Sequence, residues 1–218
     1  MQKKNIFFDL DGTIVNSQKG IFNSVEYSIE KMNFPKLDKD TLRKFIGPPL
    51  HYSYKKYFDI DDETTDESVK KYREYYKAKG IFECELYPGM IKMLEILSKE
   101  YDLYVTTSKP LPLATKVLQK LNADIYFKEI SGPPFDGLTV TKAHVVTGVI
   151  KKYNLKKEEC VLIGDTRFDG EGAFLSGIDF IGVSYGFGTL EELNEFPSVK
   201  VLNSTDEITD YFKKAERN

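Results

Sequence analysis

Segments with strand and helix patterns alternate along the chain from residue 86 onward, and this alternation restricts the possible folds more than any other feature. Short apolar runs typical of buried strands occupy residues 103–107, 125–130, 160–164 and 180–183. They alternate with segments whose apolar residues recur at helical spacing, at residues 90–100, 113–121, 143–153 and 205–215. Strands and helices in this order favour an α/β protein with a parallel sheet flanked by helices.

One further strand is predicted near the N-terminus, at residues 5–10, and a long helical segment separates it from the others. Residues 17–85 show helical spacing of apolar residues and no convincing strand pattern. We therefore predict a Rossmann-like core of residues 1–16 and 86–218, with residues 17–85 as an inserted all-helical domain. Because ligands bind at the carboxyl ends of strands in open α/β sheets, an insertion after the first strand is placed to act as a lid, or cap.

The charge balance and the N-terminal segment argue against several classes of partner. The chain has 31 Lys and Arg and 34 Asp and Glu residues, so its net charge of -3 lacks the basic excess typical of nucleic-acid binding. Basic and aromatic residues alternate at residues 70–77, but the acidic residues among them favour a helix over a single-strand binding surface. The N-terminal apolar stretch ends at Asp9 and is too short for a signal peptide or a membrane span. We expect a cytoplasmic monomer or homodimer with neither a nucleic-acid nor a membrane partner.

Polar residues follow three of the predicted strands, and the first such group runs from Asp9 to Thr13. Alternation along a strand places Asp9 and Asp11 on the same side, so that two carboxylates converge. Like charges this close resist joint ionisation unless a cation lies between them, and Mg²⁺ is a hard divalent ion that binds carboxylate oxygens. The alternative is an ordinary Asp-Gly turn in which both acids are solvated.

The second group, Thr107 and Ser108, stands at the end of the strand predicted at residues 103–107. Hydroxyls and free backbone N–H groups at a strand-to-helix turn suit the oxygens of a phosphate group. The alternative is that Ser108 only caps the helix that follows. This group alone therefore does not decide between a phosphate site and a cap.

The third group, Asp165 and Asp169, follows the strand predicted at residues 160–164. Asp169 lies one helical turn after Asp165 if a helix begins there. The alternative is that Asp165 caps that helix and Asp169 is a solvated acid of its first turn. Lys142, at the start of the helix predicted at residues 143–153, could neutralise a nucleophile and transferring phosphoryl oxygens, or could simply be solvated.

Taken in order, these residues resemble the four motifs of the haloacid dehalogenase superfamily: Asp9-Leu10-Asp11-Gly12-Thr13, then Thr107, then Lys142, then Gly164-Asp165 with Asp169. The resemblance extends over essentially the whole chain, and the helical insertion resembles the cap of that superfamily. Residues 45–50 and 108–110 are most similar to the phosphoglycolate-phosphatase-like and 5'-nucleotidase-like branch. Asn16, where relatives often carry Asp, and Ala143, where many carry Pro, depart from the pattern.

The resemblance implies a phosphoric monoester hydrolase, a Mg²⁺-dependent phosphatase that hydrolyses a small phosphorylated metabolite through an aspartyl-phosphate intermediate. Asp9 would attack phosphorus, and Asp11 would protonate the leaving oxygen and then deprotonate the attacking water. Mg²⁺ would be held by Asp9, Asp165 and the backbone carbonyl of Asp11. Asp169 would support the metal site without binding the ion directly.

The resemblance also implies which residues bind the substrate, namely Thr107, Ser108, Lys142, Gly12, Thr13, Arg43 and Gly47. Thr107, the backbone N–H of Ser108 and Lys142 would contact the phosphoryl oxygens. Arg43 and Gly47 belong to the predicted cap, which is expected to choose the substrate.

Several other functions use part of the same residue set. A 5'-nucleotidase, a sugar-phosphate phosphatase and a phosphomutase of the same superfamily would all use Asp9 and Asp11. A dehalogenase is disfavoured because its chemistry needs no metal carboxylates and would leave Asp11 idle. A non-catalytic signalling module that stores phosphate on Asp9 would have no use for a lid, and a purely binding descendant would not keep every reacting residue.

Overall fold

The computed structural model describes residues 3–135 and 140–215, and these residues divide into two compact units. One unit comprises Met1–Asn16 and Leu86–Asn218, and the other comprises Ser17–Glu85. Among the described residues, none of the helices combines the length and the apolar character that crossing a membrane requires. The role of the second unit as a cap stays a prediction.

A sheet of six parallel strands forms the first unit, which confirms the predicted α/β fold. Its strand order is β5-β4-β1-β6-β7-β8, and β2 and β3 form a separate two-stranded sheet. The strands are β1 (Asn5–Phe8), β2 (Val15–Asn16), β3 (Glu85–Leu86), β4 (Asp102–Thr106), β5 (Glu129–Ser131), β6 (Cys160–Gly164), β7 (Asp179–Val183) and β8 (Lys200–Leu202).

The first strand lies in the middle of the sheet, and this placement positions the residues that follow it. Phe8 in β1 pairs in parallel register with Val105 in β4 on one side and with Ile163 in β6 on the other. All four residues of β1 are buried, as expected for a sheet covered by helices on both faces, and three of them, Ile6, Phe7 and Phe8, are apolar. The carboxyl ends of β1, β4 and β6 consequently meet at one edge of the sheet.

Helices flank the sheet and build the second unit. They are α1 (Gln18–Met32), α2 (Lys39–Arg43), α3 (Leu50–Phe58), α4 (Asp62–Ala78), α5 (Met90–Leu97), α6 (Leu111–Lys120), α7 (Lys142–Tyr153), α8 (Arg167–Ser176), α9 (Leu190–Leu193) and α10 (Thr205–Ala215). Single 3-10 turns occur at Gly80–Phe82, Asp124–Tyr126 and Lys157–Glu159. On one face of the sheet, Phe7 and Leu162 pack with Val146 of α7 and Ala173 of α8 in a shared apolar core.

The second unit is helical, and two of its helices, α2 and α4, begin at capping acids. The Asp38 carboxylate accepts a hydrogen bond from the Thr41 N–H at 2.8 Å at the start of α2, and Asp61 does the same for Thr64 at the start of α4. Ile21, Val25 and Ile29 are buried at helical spacing along α1, which packs against α4. These buried residues account for the helical pattern seen in the sequence.

Several local assignments differ from the sequence-based prediction, among them the two-residue strands β2 and β3, which were not predicted. The strand predicted at residues 125–130 is instead the 3-10 turn Asp124–Tyr126 followed by the short edge strand β5. The strand β8 and the helix α9 were not predicted, because three and four residues are too few to show a period. The strand β8 is an edge strand of the sheet, and only Leu202 of its three residues is buried.

Candidate active site

Three buried carboxylates meet at the carboxyl edge of the sheet. Asp9 follows β1 and Asp165 follows β6, and the Asp9 N–H donates to the carbonyl of Ile163 at 2.9 Å. Oxygens of Asp9, Asp165 and Asp169 all lie within 4.8 Å of one another. The alternative of a solvated Asp-Gly turn is therefore wrong for Asp9, which is 8% exposed.

Two hydrogen bonds and two close backbone approaches fix the carboxylate of Asp165. The Thr13 hydroxyl donates to its Oδ1 at 3.1 Å, and the backbone N–H of Phe187 donates to its Oδ2 at 2.8 Å. A Cβ atom at Gly12 or Gly186 would collide with the Asp165 side chain, and Gly12 also has a φ of 94° that favours glycine. Asp165 is therefore oriented by its surroundings before any ligand binds.

Asp169 lies in the first turn of α8, where it is held by the residue that precedes the helix. The backbone N–H and the hydroxyl of Thr166 donate to its Oδ2 at 3.0 and 2.8 Å, and the backbone bond is the one that an N3 acid makes in a capping box. Thr166, and not Asp165, is thus the N-cap of α8, and Asp169 is 1% exposed. The alternative of a capping Asp165 and a solvated Asp169 is therefore wrong, although Asp169 does lie in the first turn of the helix.

Lys142, the first residue of α7, is buried among these carboxylates rather than solvated. Its ammonium group donates to Asp9 Oδ1 and to the carbonyl of Thr106, the latter at 3.0 Å, and lies 2.8 Å from Asp169 Oδ1. Although burial alone would lower the pKa of Lys142, the two carboxylates raise it above its ordinary value. The side chain therefore stays charged and connects β1, β4 and α8.

The charges of this cluster do not balance. Three carboxylates face one ammonium group, and burial raises the pKa of Asp9 to about 7 against the opposing charge of Lys142. Burial and the carboxylates of Asp169 and Asp9 also raise the pKa of Asp165 well above its usual range. A bound divalent cation would relieve this repulsion, and an all-oxygen ligand set is the one that hard cations prefer. The residues present therefore fit a divalent metal ion.

Asp11 has a different partner from the one expected. Its two carboxylate oxygens both accept hydrogen bonds from Lys109 Nζ, one of them at 2.6 Å, and the pair is shielded from solvent. The carboxylate cluster that could hold a metal consists of Asp9, Asp165 and Asp169 and does not include the side chain of Asp11. A metal contact through the backbone carbonyl of Asp11 stays a prediction.

The residues predicted to bind phosphate differ in their burial and in the hydrogen bonds that they make. Thr107 directly follows β4 and is buried, whereas Ser108 is exposed at the same strand end. Pro110 precedes α6 as its N-cap, so the alternative that Ser108 caps that helix is wrong. The Gly12 N–H donates to the Val15 carbonyl at 2.9 Å within the turn after β1.

Two of the predicted substrate-binding residues, Arg43 and Gly47, belong to the helical unit. Arg43 is the last residue of α2, and Gly47 follows in a turn with a φ of 102°. Thr13 was also predicted to contact phosphate, and its hydroxyl is occupied by Asp165. The roles of these three residues in substrate binding stay predictions.

The loop after β7 contributes to the site and was not found from the sequence. Besides the Phe187 N–H bound to Asp165, the Tyr185 hydroxyl donates to the carbonyl of Thr13 at 2.9 Å. Burial raises the pKa of Tyr185 above its usual range, so the hydroxyl remains a donor. The pair Gly186 and Gly188 was the available signal, since glycines after a strand often mark a close backbone approach.

We expect Gly186→Ala to weaken the binding of divalent cations by about 10–100-fold, because the added methyl group would displace the Asp165 side chain. Isothermal titration calorimetry with Mg²⁺ or Mn²⁺ measures the change. Gly148→Ala is the matched control, because a Cβ atom at this exposed position of α7 meets nothing within 4 Å. Unchanged affinity for the cation in a folded Gly186→Ala protein would show that the loop after β7 does not orient the Asp165 side chain for metal binding.

The fold and the site together define a class of enzyme, in which carboxylates and a lysine gather at the carboxyl edge of a Rossmann-like sheet. Residues 6–183 match the family model described as haloacid dehalogenase-like hydrolase. The chain belongs to this family. The predicted family and the prediction of a hydrolytic enzyme are therefore confirmed.

Several similar proteins carry names that match the predicted branch, and one is named a kinase. A protein named 5'-nucleotidase from Pseudomonas aeruginosa is 35% identical over 190 residues, which cover 87% of this chain and 86% of the relative. A protein named tyrosine-protein kinase PtkA from Mycobacterium tuberculosis is 28% identical, over 91% of this chain and 68% of the relative. Relatives named phosphoglycolate phosphatase, from Colwellia psychrerythraea and Agrobacterium fabrum, are 25% and 26% identical over 89% of this chain each and over 90% and 86% of the relatives.

A solved structure shows the same fold over nearly the full chain. The crystal structure of a predicted phosphatase from Clostridium acetobutylicum superimposes with a TM-score of 0.93 and 36% sequence identity. The match covers 98% of this chain and 100% of that one. This similarity and the relatives named 5'-nucleotidase and phosphoglycolate phosphatase agree with the predicted phosphoric monoester hydrolase.

Proposed function

We propose that the protein is a Mg²⁺-dependent phosphatase that hydrolyses a small phosphorylated metabolite through an aspartyl phosphate on Asp9. The observation that carries the proposal is the placement of Asp9 at the carboxyl end of β1, in contact with Lys142 and within 4.8 Å of Asp165 and Asp169. A ligand can approach a carboxylate at the carboxyl edge of a parallel sheet. The charged side chains around Asp9 can stabilise the charge that develops on the phosphoryl group during the reaction.

Mg²⁺ would be bound by Asp9, Asp165 and the backbone carbonyl of Asp11, with Asp169 supporting the site through its position beside Lys142. When bound, the ion would neutralise charge on the phosphoryl oxygens and align the phosphorus with Asp9. The orientation of Asp165 by Thr13 and Phe187 supports this assignment, since metal ligands in proteins are commonly fixed by hydrogen bonds from other residues.

The steps carried out by this chain's own residues follow from that arrangement. An oxygen of Asp9 forms a bond to phosphorus as the bond from phosphorus to the leaving oxygen breaks, and Asp11 transfers a proton to that oxygen. Asp11 then takes a proton from the water that attacks the aspartyl phosphate, which releases inorganic phosphate and restores both carboxyl groups. Lys142 holds Asp9 in place and stabilises negative charge on the phosphoryl group, with Thr107 and the Ser108 N–H as further donors.

The candidate substrates are 5'-nucleotides, phosphoglycolate and sugar phosphates, and the names of the relatives support the first two. All three present the same phosphoryl end to the site. A phosphomutase would use the same residues but would return the phosphoryl group to a sugar, and a kinase-like activity would pass it to a tyrosine.

The proposal is tested by measuring phosphate release from a panel of phosphorylated metabolites in the presence of Mg²⁺. We expect inorganic phosphate and the dephosphorylated product in equal amounts for at least one class of small metabolite. Accumulation of an isomerised sugar phosphate, or of phosphotyrosine on an added protein, without inorganic phosphate would reject the phosphatase and identify the acceptor instead.

We further expect the helical unit to select the substrate, so that Arg43→Ala changes the ratio of kcat/KM between two panel substrates by about tenfold. The reason is the predicted cap role of this unit and the placement of Arg43 at the end of α2, next to the turn that contains Gly47. Lys36→Ala, at an exposed position of the same unit, is the control. An unchanged ratio in Arg43→Ala would remove this residue from substrate selection.

A further inference from the structure

The loop after β7 reaches across a strand to contact the turn after β1. In the sheet, β6 lies between β1 and β7, yet the Tyr185 hydroxyl of this loop donates to the Thr13 carbonyl at 2.9 Å. Neighbouring strands lie about 4.8 Å apart, so the loop and its tyrosine together bridge a gap of about 10 Å. A Cβ atom at Gly186 or Gly188 would collide with Asp165, which shows that the loop runs directly over the end of β6.

A closed ring of hydrogen bonds joins this loop, the turn after β1 and Asp165. The Thr13 hydroxyl donates to Asp165 Oδ1 at 3.1 Å, and the Phe187 N–H donates to Asp165 Oδ2 at 2.8 Å. Phe187 stands two residues after Tyr185, whose hydroxyl returns to the Thr13 carbonyl and closes the ring. The position of Thr13 relative to Asp165 therefore depends on the Tyr185 hydroxyl.

Aromatic packing fixes the Tyr185 side chain independently of its hydroxyl group. Its ring packs on that of Tyr87 with the centroids 4.8 Å apart, a separation typical of aromatic pairs. The Tyr87 N–H donates to the Ile14 carbonyl at 3.2 Å, so Tyr87 is itself bound to the turn after β1. Tyr185→Phe would keep this packing and lose the hydrogen bond to Thr13.

The ring of hydrogen bonds matters for a cation because it ties together metal ligands from two strand ends. Asp9 and the Asp11 carbonyl belong to the segment that continues into Thr13, whereas Asp165 follows β6. Mg²⁺ requires nearly octahedral ligands at about 2.0–2.1 Å, whereas Ca²⁺ accepts irregular ligand sets at about 2.3–2.6 Å. A site whose oxygens keep fixed separations therefore favours Mg²⁺, and loosening the site should lower the affinity for Mg²⁺ more than that for Ca²⁺.

We propose that Tyr185 is a positioning residue that holds Thr13, and through it the Asp165 carboxylate, for a small divalent cation in preference to Ca²⁺. This inference rests on the metal site of the proposed function. Tyr185 acts through Thr13, so loss of its hydroxyl should weaken the binding of Mg²⁺ although every metal ligand is still present.

Isothermal titration calorimetry with Mg²⁺ and with Ca²⁺ tests the inference on the full chain. We expect Tyr185→Phe to raise Kd for Mg²⁺ by about tenfold and Kd for Ca²⁺ by less than about threefold. Tyr101→Phe is the matched control, because the Tyr101 hydroxyl also donates to a backbone carbonyl, that of Phe212 at 3.3 Å, but Tyr101 precedes β4 at the opposite edge of the sheet. This control should leave both Kd values unchanged, and thermal unfolding without cations checks the fold of each variant.

The double variant Thr13→Val/Tyr185→Phe shows whether Tyr185 acts through Thr13. Valine keeps the shape of threonine but lacks the hydroxyl that orients Asp165, so the Tyr185 hydroxyl should have no donor left to position. We expect the double variant to have the Kd for Mg²⁺ of Thr13→Val within about twofold.

Several results would overturn the inference: an unchanged Kd for Mg²⁺ in folded Tyr185→Phe, equal losses of affinity for the two cations, or losses that multiply in the double variant. A wild-type protein that does not bind Mg²⁺ would reject the metal site and the inference together. Calorimetry requires no turnover, so its outcome is separate from that of the phosphatase assay. A protein that binds Mg²⁺ but releases no phosphate would reject the proposed activity, and the comparison of Kd values would still decide the role of Tyr185.

Discussion

Asp9→Asn is expected to lower the rate of phosphate release by on the order of 10⁴-fold or more, because the side chain that would form the covalent intermediate can no longer attack phosphorus. The amide keeps the size of the carboxyl group, so the packing at the end of β1 is retained. Phosphate release from p-nitrophenyl phosphate at saturating Mg²⁺ measures the loss. Mass spectrometry of the acid-quenched enzyme should show a phosphorylated Asp9 in the wild type and none in the variant.

The fold of the Asp9→Asn variant should survive. Burial and neighbouring carboxylates raise the pKa of Asp9, which means that its charged form is disfavoured in this environment. Lys142 loses one partner in the variant but still has Asp169 2.8 Å away. Asp210→Asn, an exposed acid of α10, is the control for the substitution itself. Activity of Asp9→Asn within tenfold of wild type would reject Asp9 as the nucleophile.

Removal of divalent cations is expected to abolish activity, and Mg²⁺ is expected to restore it. The physical reason is the excess of negative charge among Asp9, Asp165 and Asp169, which one lysine cannot balance when the phosphoryl group adds its own charge. Chelation by excess EDTA followed by readdition of Mg²⁺ measures the effect on phosphate release. Full activity in excess EDTA would reject a metal-dependent reaction.

A second measurement does not depend on activity. A cation that binds only the folded protein stabilises it by about 2.7 kcal/mol when its concentration is 100 times Kd, so Mg²⁺ should raise the temperature of thermal unfolding. Asp165→Asn should remove most of this increase, because it deletes the ligand that Thr13 and Phe187 orient. Asp210→Asn should keep the increase. An equal increase in both variants would place the metal elsewhere in the molecule.

The sequence was sufficient to predict the core of the fold and the acids at its strand ends. The strand β6 is an apolar run that ends in Gly164, directly before Asp165. In β1, the apolar residues Ile6, Phe7 and Phe8 end directly before Asp9. An apolar run followed by polar residues predicts a buried strand and the position of its end. The acids at the carboxyl edge of the sheet could therefore be predicted from the sequence. The buried position of Lys142 was not evident from its own surroundings, because a lysine at a helix start is usually exposed.

The remaining features depend on contacts between residues that are distant in sequence. Lys109 meets Asp11, and Tyr185 meets the carbonyl of Thr13, across separations that no local period records. The prediction of a cation between the carboxylates of Asp9 and Asp11 considered only neighbours in the chain. It therefore missed that a lysine from the end of the adjacent strand takes up the second carboxylate.

The central position of β1 also determines when the site can form during protein synthesis. This strand precedes its two neighbours in the sheet, β4 and β6, by a long stretch of chain. The hydrogen bond from Thr13 to Asp165 alone spans 152 residues. Such long-range pairing is slow to form. A nascent chain from which β6 has not yet emerged has Asp9 without Asp165 and Asp169 beside it. The cluster of three carboxylates can therefore form only after β6 has been synthesised and has paired with β1.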